Sequence, residues 1–265
     1  GSVFNYGVST NPYTATDAAG NPTTANFSVT VQDVTPPQII DLPQDLTEYA
    51  DETGVAVVTW PEPVATDNCD DTPSLIADHP PGSAFPFGET IVAYKASDES
   101  SNEIIGTFAV HVIDTIAPQI IGVPADITLI ADASGTSVAT WVEPTVIDNV
   151  DSDPVLTSDY PSGHVFPFGV TIVTYTARDN SNNVATAMFS VTVGDNLPPT
   201  ITGLPADIEV YADANGQAIV TWDSPGISDN CDIDPALTST HNSGFAFSCG
   251  VTTVTYTATD ESNNT

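Results

Sequence analysis

Three short segments, TDNCDDTP at 66–73, IDNVDSDP at 147–154 and SDNCDIDP at 228–235, crowd carboxylates and amides between hydrophobic stretches. A second set places Asn four residues after Asp: Asp98 with Asn102, Asp179 with Asn183, and Asp260 with Asn264. A third set is the linker acids Asp114 and Asp195, each just ahead of a proline-containing junction. Oxygen-only ligands, several of them charged, are what Ca²⁺ takes, in about six to eight contacts, whereas Mg²⁺ demands stricter octahedral geometry. Zinc favours nitrogen or sulfur, and no Cys and His spacing here matches a zinc site. The candidate Ca²⁺ ligands are therefore Asp67, Asp70, Asp98, Asn102, Asp114, Asp148, Asp151, Asp179, Asn183, Asp195, Asp229, Asp232, Asp260 and Asn264.

The same carboxylates do not read as catalytic. A general acid and base pair needs two environments that separate the two pKa values. Near-identical clusters recur here, without an accompanying nucleophile, histidine base or deep-pocket signature, so no catalytic residue is assigned. The four histidines, His79, His111, His164 and His241, lie in dissimilar contexts and read as surface or strand residues.

Against 35 Asp and Glu the chain has 2 Lys and Arg, a formal charge of -33, so its carboxylates lack internal partners. Nucleic acid, anionic membrane surfaces and acidic substrates would be repelled, leaving cations and basic partners. A solvated acidic surface is a second reading of the charge, and it is compatible with metal binding. Hydrophobic residues make up 40% of the chain, enough to bury cores. No apolar run is long enough to insert into a membrane.

The elements that must position these acids repeat. Trp60, Trp141 and Trp222 are spaced by 81 residues, as are Gly7, Gly88, Gly169 and Gly250, and Pro37, Pro118 and Pro199. A repeat of this length suits a small β-sandwich with its own core, not a solenoid rung. The expected units are 1–36 (the C-terminal part of a repeat), 37–117, 118–198, and 199–265 (a repeat lacking its last strand). Proline at VTPPQI, TIAPQI and NLPPTI gives short, stiff connections and an extended array. Residues 1–22 correspond to 244–265, which fits a window cut from a longer array better than exchange of strand 22–31 between chains, the alternative.

No helical periodicity appears, while β-branched and aromatic residues alternate between Pro, Gly, Asn and Asp turns. The fold class is all-β, with tandem immunoglobulin-like sandwiches of about seven strands. From Pro37 to Asp114 the strands are placed at 38–50 (kinked at Pro43), 54–60, 63–66, 74–79, 83–86, 89–97 and 104–113. Val92, Tyr94 and Ala96 share one face and Phe108, Val110 and Val112 another, and the two should meet in the core. Trp60 reads as core, not as a sugar platform. This threading puts the Asp67 and Asp70 turn with linker Asp114 at the pole where the chain leaves a repeat. The Asp179 and Asn183 turn then belongs to the pole where it enters the next, so the acids converge at junctions.

The stretches PPQIIDLPQDLTEYAD, VVTWPEPVATDNC, FPFGETIVAYKASDESSN and FAVHV, recurring in order along the whole chain, resemble the hyalin repeat (HYR) domain family. The resemblance implies an immunoglobulin-like fold in extracellular, often adhesive, multi-repeat proteins. Where the family has an Asp-x-x-Gly-Asn turn, this chain keeps Gly20 but has Ser101, Asn182 and Asn263 at the later positions. The family's cysteines are mostly missing.

Cys231 and Cys249 occur together in one repeat, where the middle repeat has Val150 and Phe168, so the pair is expected to form a disulfide. Cys69 faces Phe87 by the same offset and is expected to be a free thiol. A threading with five strands, unlike seven, would separate Cys231 from Cys249 by about 20 Å. The sequons NFS at 26 and NNT at 263 fit N-glycosylation. The expected function is a structural segment of an extracellular, secreted or cell-surface fibre, filament or stalk, stiffened by Ca²⁺ at its junctions. Its partners are neighbouring repeats or other copies of itself, with glycans as a further candidate. An adhesin binding carbohydrate or protein, and accessory modules of a large secreted enzyme, are the alternatives.

Overall fold

A computed structural model describes residues 1–265, and it contains strands and turns but no helix. The chain divides into one unit of residues 1–116 with 148–152 and a second of residues 117–147 with 153–265.

The first unit opens with a hairpin of β1 (Gly7–Thr16) and β2 (Pro22–Val31). A sandwich follows, built from β3 (Gln38–Ile40), β4 (Leu46–Tyr49), β5 (Val55–Val58), β6 (Val64–Thr66), β7 (Ser74–Ala77), β8 (Ser83–Pro86), β9 (Gly88–Ser97) and β10 (Glu103–Ile113). One sheet has the order β4-β10-β9-β7, and facing it are the pairs β3 with β6 and β5 with β8. β3 and β4 are the expected kinked first strand, broken for identifiable reasons. Asp41 adopts a left-handed φ of 60°, Pro43 has no N–H to donate, and the Asp45 carboxylate takes the Ala109 N–H at 2.8 Å. β4 then continues parallel to β10, with Leu46 opposite Val110.

Alternation along β9 and β10 supplies the core. Val92, Tyr94 and Ala96 on one strand, and Phe108, Val110 and Val112 on the other, are all buried, with Phe85 and Trp60 packed among them. A Val, Leu or Phe side chain fully removed from water contributes about 1.5–3 kcal/mol, so these few positions dominate the stability of a small sandwich. Trp60 is a core residue: its indole N–H donates to Tyr94 Oη at 2.9 Å, and its ring meets Phe108 edge-on with centroids 5.1 Å apart.

Strand directions correct the sequence-based threading. β6 is antiparallel to β3, and β5 descends from the same end at which β4 stops, so β5 and β6 run the same way. The Trp60–Pro63 segment between them crosses from one pair to the other without reversing. β7 and β8 likewise run together, through Asp78–Gly82. The eight strands β3 to β10 therefore make five passes, and the odd number still delivers the chain to the opposite pole.

The second unit repeats this plan with β11 (Gln119–Ile121), β12 (Ile127–Ile130), β13 (Thr136–Val138), β14 (Thr145–Ile147), β15 (Val155–Ser158), β16 (Val165–Pro167), β17 (Gly169–Arg178) and β18 (Val184–Gly194). Its sheet has the order β12-β18-β17-β15, over a core of Phe166, Val173, Tyr175, Phe189, Val191 and Val193. The last repeat contributes β19 (Thr200–Thr202), β20 (Gln217–Val220), β21 (Gly226–Ser228), β22 (Ala236–Ser239), β23 (Phe245–Ser248) and β24 (Tyr256–Thr259). Residues 208–211, the counterpart of β12, form no strand: β12 is held by parallel pairing to β18, and the chain offers no equivalent of β18 there.

Candidate metal centre

The antiparallel register of β3 and β6 sets Gln38 opposite Thr66, so the residue after β6 meets the linker before β3. β7 and β9 bring the end of β9 to the same pole, with Ser74 opposite Ser97. Asp33 from the linker, Asp67 from the turn after β6 and Asp98 from the turn after β9 thus converge, each offering a carboxylate oxygen within 4.8 Å of the others. Asp195, Asp229 and Asp260 form the corresponding trio in the second unit.

The Asp-Asn carboxylates, Asp67 and Asp229, are each held by one oxygen and present the other. Asp67 Oδ1 accepts the backbone N–H groups of Cys69 at 2.9 Å and Asp70 at 3.0 Å, an Asx turn that the Asp-Asn-Cys sequence makes locally. Asp67 Oδ2 is buried with no hydrogen-bond partner, and Asp229 Oδ2 repeats this above the same turn at Cys231 and Asp232. Asp33 Oδ1 accepts from Thr35 N–H at 3.1 Å, and Asp195 Oδ1 from Leu197 N–H at 3.1 Å. Asp98 and Asp260 are themselves buried. Burial pushes both carboxyls up, but the side-chain and backbone amides of Asn102 and Asn264 outweigh it and hold them below the usual carboxylate range. Three negative groups at this spacing repel one another unless a cation or protons intervene.

The Asn of each Asp-x-x-x-Asn turn acts behind the carboxylates. Asn102 Nδ2 donates to Asp98 Oδ2 at 2.7 Å and to the Asp33 carbonyl at 3.4 Å; Asn264 Nδ2 donates to Asp260 Oδ2 at 2.8 Å and to Asp195 Oδ2 at 3.4 Å. Ser101, Asn182 and Asn263 take the left-handed conformation that Gly20 takes in the first hairpin, with φ of 70°, 70° and 67°. Asp70 and Asp232 stand outside the trios. Asp70 accepts the Thr72 and Glu99 N–H groups, and Asp232 those of Asp234 and Glu261, so each ties the two acidic turns of its repeat together.

In the middle repeat, Asp148 accepts the N–H groups of Val150 and Asp151, and Asp179 takes both the backbone and side-chain N–H of Asn183, at 2.8 Å each. Asp114 accepts from Ile116 N–H at 3.0 Å.

Two expectations are corrected. The Asp67 turn does not share a pole with linker Asp114; it lies with the linker ahead of its own repeat, because β5 and β6 descend as one pass. Asp33 was not among the candidates, although the 81-residue offset from Asp114 and Asp195 leads straight to it. The Cys231–Cys249 disulfide is absent, and Cys69, Cys231 and Cys249 are all free. Cys231 sits in the acidic turn where the chain enters the last repeat, whereas the N–H of Cys249 bonds to Gly216 in the turn at the other pole.

The Asn of the Asp-Asn-Cys motif has a role that composition alone did not signal. Asn230 Nδ2 donates to the Asp132 carbonyl at 3.0 Å, in the turn that closes the preceding repeat, and Asn149 Nδ2 donates to the Asp51 carbonyl at 3.0 Å. The receiving turns end in Gly135 and Gly54 with φ of 74° and 77°. A Cβ at Gly135 would lie 2.2 Å from the Asn230 carbonyl oxygen, and one at Gly54 would lie 3.0 Å from that of Asn149.

The HYR domain family model matches residues 32–112, 113–193 and 194–265. Hyalin of Lytechinus variegatus is 34% identical over 100% of this chain, which covers 52% of that protein. Hyalin of Strongylocentrotus purpuratus is 32% identical over 100% of the chain and 23% of its own length. The sushi, von Willebrand factor type A, EGF and pentraxin domain-containing protein 1 of Rattus norvegicus is 32% identical over 90% of the chain and 6% of its own length. The chain thus spans about half, or much less, of these relatives. Among solved structures, the protocadherin gamma B7 extracellular cadherin domains 1–4 align at a TM-score of 0.33 and 11% identity, covering 92% of this chain and 72% of that one. Matched in three consecutive repeats, the chain belongs to the HYR domain family, a non-catalytic kind of extracellular repeat, and is itself extracellular or at the cell surface.

Proposed function

We propose that this chain is a structural segment of a fibre, filament or stalk, divided into repeats at 37–117, 118–198 and 199–265, in which Ca²⁺ binds the carboxylate trios. The observation that carries the reading is the buried, unpartnered second oxygen of Asp67 and of Asp229, each facing two further carboxylates. A buried charged oxygen without a donor is costly, and a hard divalent cation is the partner that an all-oxygen set accepts. In the proposed site Asp33, Asp67 and Asp98 supply ligands, with Asn102 orienting Asp98. Asp195, Asp229, Asp260 and Asn264 do the same in the last repeat.

Because one ligand comes from the linker and two from the repeat after it, the cation fixes the angle at which each repeat leaves its connection. Partners are then neighbouring repeats and other copies, and the near-identity of the trios favours a repeated mechanical role over a single recognition site.

Calorimetric titration of the chain with Ca²⁺ tests this. Binding should be saturable, raise the melting temperature and be reversed by chelation, and Asp33→Asn and Asp195→Asn should each remove one binding event. No binding heat, together with melting and scattering profiles indifferent to chelator, overturns the reading. Electron microscopy of native material with and without chelator checks the fibre itself.

A further inference from the structure

Cys249 occupies a defined place in a repeated arrangement. Positions 6, 87, 168 and 249 are related by the 81-residue period and hold Tyr, Phe, Phe and Cys; positions 69, 150 and 231 hold Cys, Val and Cys. The first set lies at the pole from which the chain leaves a repeat, two strands before it does so. The N–H groups of Phe87, Phe168 and Cys249 bond to the carbonyls of Gly54, Gly135 and Gly216, one in each closing turn.

What meets these glycines from the far side is recorded at two junctions. A Cβ on Gly54 would lie 3.4 Å from Val150 Cγ2, and one on Gly135 would lie 3.9 Å from Cys231 Cα. Val150 and Cys231 belong to the acidic turn of the next repeat, and both pack against the core of the repeat before them. At Gly216 the neighbouring atom is Cys249 Sγ itself, 3.9 Å from the same Cβ position. Tyr6, at the first position of the set, reaches across in the same sense, its Oη 2.9 Å from Ser100 Oγ. The thiol of Cys249 therefore points to the spot that the acidic-turn residue of a following repeat fills elsewhere in the chain.

We infer that Cys249 is one half of a disulfide made across a junction, whose other half is the Asp-Asn-Cys thiol of the repeat docked on that pole. The chain carries both halves, Cys249 on one side and Cys69 and Cys231 on the other, but at different junctions. Their partners at those junctions are Tyr6 and Phe168, which form no such bond. In forming the bond, two thiols lose two protons and two electrons. The oxidant is a small disulfide such as oxidised glutathione, reduced to two thiols by exchange through a mixed disulfide. An extracellular location is compatible with a bond of this kind.

The test places the missing half opposite Cys231. In Phe168→Cys, treatment with oxidised glutathione should join residues 168 and 231, seen as a mass lower by two hydrogens, protection of both thiols from alkylation and a single linked peptide, while Cys249 stays alkylatable. Both replaced positions, Phe168 and Phe87, are exposed, so folding should survive. Phe87→Cys with Val150→Cys repeats the test at another junction. Appending residues 23–117 after Thr265 continues the period and sets Cys249 against a second copy of Cys69, to which it should bond. The inference is overturned if Phe168→Cys yields a 168–249 or 231–249 linkage, if its thiols alkylate as fast after oxidation as before, or if Cys249 of the extended chain ignores the appended cysteine.

Discussion

The turns that close each repeat contain three equivalent glycines, Gly54, Gly135 and Gly216, with φ of 77°, 74° and 75°. Replacing each with alanine imposes the same backbone penalty, about 1–2 kcal/mol for a left-handed L-residue. The surroundings differ. The new methyl would meet the Asn230 carbonyl oxygen at 2.2 Å in Gly135→Ala and the Asn149 carbonyl oxygen at 3.0 Å in Gly54→Ala, but only Cys249 Sγ at 3.9 Å in Gly216→Ala. Relieving a 2.2 Å contact with rigid backbone requires the acidic turn to withdraw. That forfeits the bond from Asn230 Nδ2 to Asp132, about 1 kcal/mol, and adds repacking of about 1–3 kcal/mol. Gly216→Ala should thus cost about 1–2 kcal/mol, Gly135→Ala about 3–6 kcal/mol in total, and Gly54→Ala an intermediate amount. Denaturant titration with a probe in each repeat gives the ranking, and hydrogen exchange shows whether the amides of Cys231 and Asp232 lose protection only in Gly135→Ala. Equal losses in all three variants would mean that the glycines serve turn geometry alone and that the contact with Asn230 has no energetic weight.

Tyr94→Phe leaves the buried Trp60 N–H without its acceptor and should cost about 1–3 kcal/mol, seen as a lower melting temperature for the 37–116 sandwich; no change would show that another acceptor takes over. Asn264→Ala removes the side-chain hydrogen bond that, with the backbone N–H of residue 264, holds Asp260 below the usual carboxylate range against burial. A depressed carboxyl stabilises above its unfolded value, and that stability is lost as pH falls through the folded value. The variant should therefore be weaker than the parent at pH 7 and converge with it in acid, as thermal melts across pH would reveal. The Cys231 thiol is pushed up to about 11 by burial and by Asp195, Asp229 and Asp260. Its alkylation at pH 8 should therefore be about a thousandfold below that of a full thiolate, and Asp195→Asn should speed it.

Periodicity made the architecture legible, because 81-residue spacing of Trp, Gly and Pro leaves little choice but tandem sandwiches, and strict alternation identified Val92, Tyr94, Phe108 and Val110 as core. Pass direction was harder to read. Trp60–Pro63 and Asp78–Gly82 carry the Pro and Gly that mark reversals, yet neither reverses the strand direction, even though Pro80–Ser83 forms a turn, since proline fixes φ without dictating which way the chain proceeds. That one ambiguity moved the Asp67 turn to the wrong pole and made the Cys231–Cys249 bond look feasible. Asp33 went unnoticed because it stands alone in VQDVTPP, and only its offset from Asp114 and Asp195 marks it. The role of Asn149 and Asn230 depends on a contact with a turn almost a hundred residues away in sequence, which local reading does not supply.

β4 and β10 are neighbours and parallel, and they lie near opposite ends of their sandwich's stretch of chain. Tension applied between Pro37 and Asp114 pulls them past each other lengthwise. The four residue pairs from Leu46 with Val110 to Tyr49 with Ile113 are then loaded in shear and must yield together, where an end-on peel would open them one at a time. A sandwich wired this way resists stretching far more than its modest equilibrium stability implies, and the first strand's break at Pro43 is what puts β4 in position to do so.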